Sequence, residues 1–91
     1  PLKRKYCGKL AKVASDLRTA HGARDWPALR QQSHAIKGSA GCFGFDDLTA
    51  AAARLEHALI DQRMDAVDDD FVSLIELCTR HMAASESGVQ G

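Results

Sequence analysis

The sequence predicts an all-α fold, an antiparallel up-down-up-down four-helix bundle built as one domain. Four segments place apolar residues three and four positions apart, the spacing of one face of a helix. No run alternates apolar and polar residues, and the hairpin dipeptides Asn-Gly and Asp-Gly are absent from the sequence. Helices of similar length with short connections favour the up-down-up-down order.

The first two helices are each marked by an apolar stripe and by residues typical of helix ends. The first is expected to stop at His21-Gly22. In the second, Asp25 can cap the N-terminus, Pro27 is tolerated in the first turn, and Gly44 forms a C-cap or tight turn. The stripes are Tyr6, Leu10, Val13, Leu17 and Ala20 in the first helix and Leu29, Ser33, Ile36, Ala40 and Phe43 in the second.

The last two helices show the same signals. Asp46 or Asp47 is expected to cap the third helix, and the segment "DQRMD" that starts at Asp61 is expected to form a turn. Aspartates at the start of the fourth helix suit the positive end of its dipole. The buried faces are Leu48, Ala52, Leu55 and Leu59 in the third helix and Val67, Phe71, Leu74 and Cys78 in the fourth.

Length and charge narrow the possible functions. A chain of 91 residues holds one core, expected over residues 3–84, with a flexible tail at 85–91. Twelve basic and twelve acidic residues give a net charge of zero, and the only basic cluster is Lys3 to Lys5, so no nucleic-acid partner is expected. The apolar runs are too short to cross a bilayer, so no membrane contact is expected either.

The cysteines indicate the cellular environment. Cys7, Cys42 and Cys78 are odd in number, widely separated and without a CxxC pair, which favours reduced cysteines in the core of a cytoplasmic protein. Cys78 and His81 alone are too few ligands for zinc, so no metal site is predicted.

The stretch "HAIKGSAGCFG", residues 34–44, is the unusual segment. Each glycine inside a helix costs roughly 0.5–1 kcal/mol relative to alanine, so Gly38 and Gly41 need a reason. His34 is rotated about 100° from Ser33 on the apolar stripe, which predicts an imidazole partly in water. Bare backbone beside it would let the surface of another macromolecule come close. The neighbours one turn away include Arg30 and Lys37. A nucleotide-binding loop is disfavoured, because a helix and not a strand precedes the glycines.

These residues carry a family resemblance. The segment "SHAIKGSAGCFGFDDLTAAAARLEHA" closely resembles the core of histidine-containing phosphotransfer (HPt) domains, and "ARDWPALRQQ" resembles their usual lead-in. The family pattern is a histidine, a lysine three residues on followed directly by a glycine, a second glycine ten residues after the histidine, and a Leu-Glu step. The matching positions are His34, Lys37, Gly38, Gly44 and Leu55-Glu56.

The resemblance implies a function. His34 would accept a phosphoryl group from a receiver-domain aspartyl phosphate and pass it to another receiver, with Lys37 stabilising the phosphate. The chain would be part of, or act downstream of, a hybrid sensor histidine kinase, and it would work as a monomer without autokinase or ATP-binding activity. It would need no cofactor of its own, because the Mg²⁺ is expected in the receiver. The implied docking surface consists of Arg30, Gln31, Gly38 and Gly41.

Plainer interpretations remain open. Arg30 and Gln31 are more often simple surface residues than phosphate contacts, and His21 and His57 are expected in solvent. The chain could also be an HPt-like docking module that carries no phosphate. A histidine kinase is disfavoured, because its phospho-accepting histidine normally has an acidic residue directly after it, and here Ala35 follows His34. Ile36 and Phe43 are expected in the core.

Overall fold

The computed structural model describes the backbone of residues 2–88 and the side chains of residues 5–84. Within residues 2–88 all regular structure is α-helical, which confirms the predicted all-α class. The fourth helix continues past residue 84, the predicted end of the core, and residues 89–91 of the predicted tail lie outside the described part. The helices are α1 (Leu2–Gly22), α2 (Trp26–Cys42), α3 (Asp46–Ile60) and α4 (Met64–Gly88).

The four helices pack as a bundle. Each helix packs against the next one along the chain, and α4 packs against α1, so that every helix has two neighbours. Residues of all four predicted stripes meet in one core, and only Val13 and Phe43 among them are partly buried rather than buried. No helix within residues 2–88 combines the length and the apolar character needed to cross a membrane.

Each of the three connections is three residues long, and all three have the same pattern of backbone hydrogen bonds. At the end of α2 the N–H of Phe45 donates to the carbonyl of Ala40 (2.9 Å), and Gly44 has a φ of 82°. This is the helix-ending geometry that favours glycine, and it confirms Gly44 as a turn residue. The same bonds form around Arg24 (φ 58°) and Gln62 (φ 59°). α1 therefore ends at Gly22, as predicted, and the left-handed residue that follows it is Arg24.

The helix starts confirm one predicted cap and correct another. Asp25 is the N-cap of α2, and its Oδ1 accepts a hydrogen bond from the N–H of Ala28 (3.3 Å). The expectation that an aspartate caps α3 is wrong, because Phe45 holds the N-cap position and no side chain caps it. Phe45 is 6% exposed, and its burial against the core places the N-cap one or two residues before the predicted aspartates.

Two side chains lie nearer to the surface than predicted. Phe43 is only half-buried, stacked on Tyr6 with ring centroids 5.0 Å apart, because α2 ends at Cys42 and the helical period no longer directs the next residue inward. Phe45, beyond the turn, is buried instead. Cys7 and Cys78 are core residues as expected, whereas Cys42 is exposed.

Candidate functional site

His34 projects from α2 into solvent and is held by one contact to α3. Its side chain is 70% exposed, which confirms the predicted position at the edge of the buried face. The neighbouring Ser33 is fully buried, and its hydroxyl donates to the carbonyl of Leu29 (2.8 Å), so the helix is fixed directly beside the imidazole. Nδ1 of His34 lies 2.8 Å from Oε2 of Glu56.

Glu56 is the buried charged group of the site. Its side chain is only 10% exposed, and each carboxylate oxygen has a partner: Oε2 faces His34, and Oε1 accepts from the ammonium of Lys37 at 2.6 Å. The hydrogen bond from Lys37, helped by the one from His34, holds the pKa of Glu56 below its ordinary value despite the opposing effect of burial. Glu56 is therefore ionised at neutral pH.

An ionised Glu56 decides which nitrogen of His34 carries the proton. A carboxylate can only accept hydrogen bonds, so Nδ1 must be the donor in the 2.8 Å contact. In the neutral imidazole the proton then sits on Nδ1, and Nε2 keeps its lone pair. The nitrogen available for nucleophilic attack is therefore Nε2, on the exposed side chain.

Lys37 lies one turn after His34 on α2, as predicted, but its ammonium is engaged. Nζ bonds to Glu56 on α3, and the side chain is 34% exposed. The structure therefore joins His34 and Lys37 through a shared carboxylate and does not leave the lysine free in solvent. The positive charge is held at the carboxylate that also contacts the imidazole, and the buried negative charge of Glu56 is neutralised.

The two helix glycines leave open space rather than filling a tight contact. A Cβ added at Gly38 would meet nothing within 4 Å, and one at Gly41 would meet only Oγ1 of Thr49 at 3.6 Å, an ordinary contact. Both glycines are exposed. Close packing against a neighbouring helix therefore does not explain either residue, whereas access of a partner to the backbone beside His34 remains a consistent explanation.

An open cleft of about 420 Å³ lies between α2 and α3 at His34. The predicted residues Arg30 and Gln31 line it, so the structure brings them together with the imidazole. The remaining lining residues, Glu56 and Ile60, lie on α3, and Ile60 is its last residue. Gly38 and Gly41 follow His34 along α2, outside the cleft lining.

No chemical role was predicted for Glu56 from the sequence, although Leu55-Glu56 is the Leu-Glu step of the family pattern. A signal was present: Glu56 lies four residues after Ala52 and three before Leu59, and therefore on the apolar stripe of α3. A carboxylate on a buried face needs a cationic or hydrogen-bonding partner. The helical period alone could not identify that partner, because it lies 22 residues away on α2.

The remaining histidines are structural or solvated. His57 is exposed, as expected. The expectation that His21 lies in solvent is wrong: its ring stacks on Phe71 at 3.9 Å, and Nε2 lies 2.9 Å from Oδ1 of Asp68. The contact exists because the end of α1 packs beside the start of α4, a proximity that sequence spacing does not reveal.

No group of three or more metal-ligating side chains forms among the residues described. Cys78 and His81, the two residues considered for zinc, have other environments. Burial raises the pKa of the Cys78 thiol to about 11, although Arg18 opposes the shift, so at neutral pH it is a neutral core group. Nε2 of His81 lies 2.9 Å from a carboxylate oxygen of Asp47.

Comparison with known proteins adds one finding. The family model described as "Hpt domain" matches residues 2–86, almost the whole chain. Neither a curated protein nor a solved structure matches the chain significantly.

Proposed function

The chain belongs to the family of Hpt domains, the histidine phosphotransfer modules of phosphorelays, and on that premise we propose that His34 is its phospho-acceptor. His34 takes a phosphoryl group from the aspartyl phosphate of one response-regulator receiver domain and passes it to another receiver. The observation that carries the proposal is the 2.8 Å contact from Nδ1 to the ionised Glu56, because it leaves the Nε2 lone pair on an exposed imidazole.

The transfer step uses groups that are already in place. The Nε2 lone pair of His34 forms the N–P bond while the P–O bond to the aspartyl carboxylate breaks, and that carboxylate leaves with the electron pair. The ring keeps its Nδ1 proton and gains positive charge, which the carboxylate of Glu56 stabilises. The reverse step has the same requirements, so the site can donate as well as accept.

Lys37 supplies the positive charge in this proposal. The moving phosphoryl group carries its negative charge on three equatorial oxygens, and catalysis depends on positioning and on neutralising that charge. The ammonium is held one turn from His34 by its 2.6 Å bond to Glu56. Transfer needs Mg²⁺, which we place in the acidic pocket of the receiver rather than in this chain.

The short connections and the cleft support one order of the four helices. We propose that they run in the antiparallel up-down-up-down order, because connections of three residues join neighbours that turn back on each other. The cleft agrees with this order, since it brings Arg30 in the first half of α2 together with Ile60 at the end of α3. We further propose that the domain acts as a cytoplasmic monomer, within or downstream of a hybrid sensor kinase.

Incubation with a phosphorylated receiver domain tests the proposal. The wild-type protein should gain an acid-labile phosphoryl group, and His34→Gln should gain none while keeping its helical circular dichroism. His57→Gln is the matched control, because His57 is also exposed and lies outside the cleft. ATP and Mg²⁺ alone should leave the protein unlabelled.

The outcomes separate the candidate functions. Receiver-dependent label that persists in His34→Gln would contradict the assignment of the acceptor. Receiver binding with no label on the wild-type protein would favour the alternative, a docking module that carries no phosphate. Self-labelling from ATP would move the chain into the kinase class.

A further inference from the structure

Ile60 is an exposed apolar side chain at the edge of the phosphotransfer site. It is 51% exposed at the end of α3, while Leu48 and Leu55 of the same helix are fully buried and Leu59 is 8% exposed. It lines the same cleft as His34 and Glu56. An exposed isoleucine alone has no special meaning, but this one forms a wall of the cleft where a partner must approach.

The charge of the cleft suits an acidic partner. The buried carboxylate of Glu56 is neutralised by Lys37, and the form of His34 whose lone pair attacks phosphorus carries no charge. Arg30 is therefore the uncompensated charge among the residues that line the cleft, and Gln31 adds a polar group beside it. A cationic and polar wall faces an apolar one, which matches the polar rim and apolar contact of a protein interface.

The geometry of transfer makes contact with these walls unavoidable. The aspartyl phosphate must approach Nε2 of His34 to about 3–3.5 Å before the N–P bond can form. The protein surface that carries the phosphate then covers the cleft. Because this inference rests on the proposed function, it names the partner of that same site and the residue that contacts it.

We propose that Ile60 is the apolar anchor for the docked receiver domain and that Arg30, across the cleft, faces the acidic phosphorylation site of the receiver. Ile60 thereby sets the affinity for the receiver without taking part in the chemistry at His34. Its side chain would be buried only in the complex, where truncation of a buried apolar anchor weakens binding.

Two phosphoryl donors distinguish docking from chemistry. Ile60→Ser and wild-type protein are compared for transfer from a phosphorylated receiver domain that labels wild-type His34, and for direct labelling by phosphoramidate, a donor too small to need the interface. Val72→Ser is the control, because Val72 is equally exposed (53%) but lies on α4, which does not pack against α2 within the described residues.

Ile60→Ser should raise the KM for the phosphorylated receiver about tenfold, the effect of losing one important interface contact. Its labelling by phosphoramidate and its thermal unfolding midpoint should equal those of the wild-type protein, and Val72→Ser should be unchanged in all three measurements. An unchanged KM for Ile60→Ser would overturn the inference and leave the proposed function standing. Slower labelling by phosphoramidate would also overturn it, because Ile60 would then act on the imidazole.

Sedimentation of the free protein tests whether a second copy of the chain, rather than a receiver, occupies the cleft. A dimer that Ile60→Ser dissociates would assign the cleft to a second copy of the chain and overturn the receiver as its partner. Failure of wild-type His34 to take label from any phosphorylated receiver would contradict the proposed function itself, and this inference would fall with it.

Discussion

Glu56→Gln removes the charge that holds His34 and Lys37 while keeping the shape of the side chain. Glutamine can accept a hydrogen bond from Lys37 through its oxygen, but its amide nitrogen then faces Nδ1 of His34 as a donor. The imidazole would respond by moving its proton to Nε2, which removes the lone pair needed for attack. The substitution therefore tests whether the carboxylate sets the tautomer.

The magnitude follows from the bond that is lost. Hydrogen bonds to charged groups contribute about 1.5–3 kcal/mol. The imidazole is 70% exposed, so solvent screening favours the lower part of that range, ~1.5–2 kcal/mol. If the same loss applies in the transition state, phosphoryl transfer should slow by about 10- to 30-fold.

Two measurements decide the outcome. Single-turnover transfer from a phosphorylated receiver gives the rate, and ¹⁵N chemical shifts of the imidazole report which nitrogen of His34 carries the proton. Asp47→Asn is the matched control, because Asp47 also holds a histidine across helices, His81 at 2.9 Å, but outside the cleft. It should leave transfer unchanged. A Glu56→Gln protein with the wild-type rate and an Nδ1-protonated His34 would refute the reasoning.

Three further predictions concern the same region. Lys37→Ala should slow transfer by about 10- to 1000-fold through lost electrostatic stabilisation, and a wild-type rate would show that its charge is not used. Gly38→Ala should raise the free energy of unfolding by up to about 1 kcal/mol, as should Gly8→Ala in α1, since neither Cβ meets an atom within 4 Å. Gly38→Gln, unlike Gly8→Gln, should weaken receiver binding and slow transfer; equal transfer by the two would exclude a docking role for Gly38. Acid should destabilise the fold: the pKa of Glu56 is lower when folded than the ordinary value of about 4.3, so its contribution is complete above that value and is lost as the pH falls through the folded pKa. Urea unfolding between pH 5 and pH 3 should therefore show a smaller loss in Glu56→Gln than in the wild-type protein.

The sequence by itself determined the secondary structure and pointed to His34 as the candidate phospho-acceptor. The apolar period predicted the four helices and most of the core, because each helix buries one continuous stripe, and the period is a local property of the chain. The family pattern around His34 and Lys37 pointed to phosphotransfer, and the rotation of His34 from Ser33 predicted its exposure. Gly44 was readable as a turn because glycine adopts a positive φ without strain.

Only the tertiary structure decided which side chains of the site contact each other. The bond from Glu56 to His34 joins residues 22 positions apart on different helices. The cleft likewise brings Arg30 of α2 and Ile60 of α3 together from different helices. Such contacts depend on the rotation and offset of α2 against α3, which many side chains determine together. The helical period places each residue on a face but not opposite a particular partner. The tautomer of His34 is therefore a property of the folded bundle.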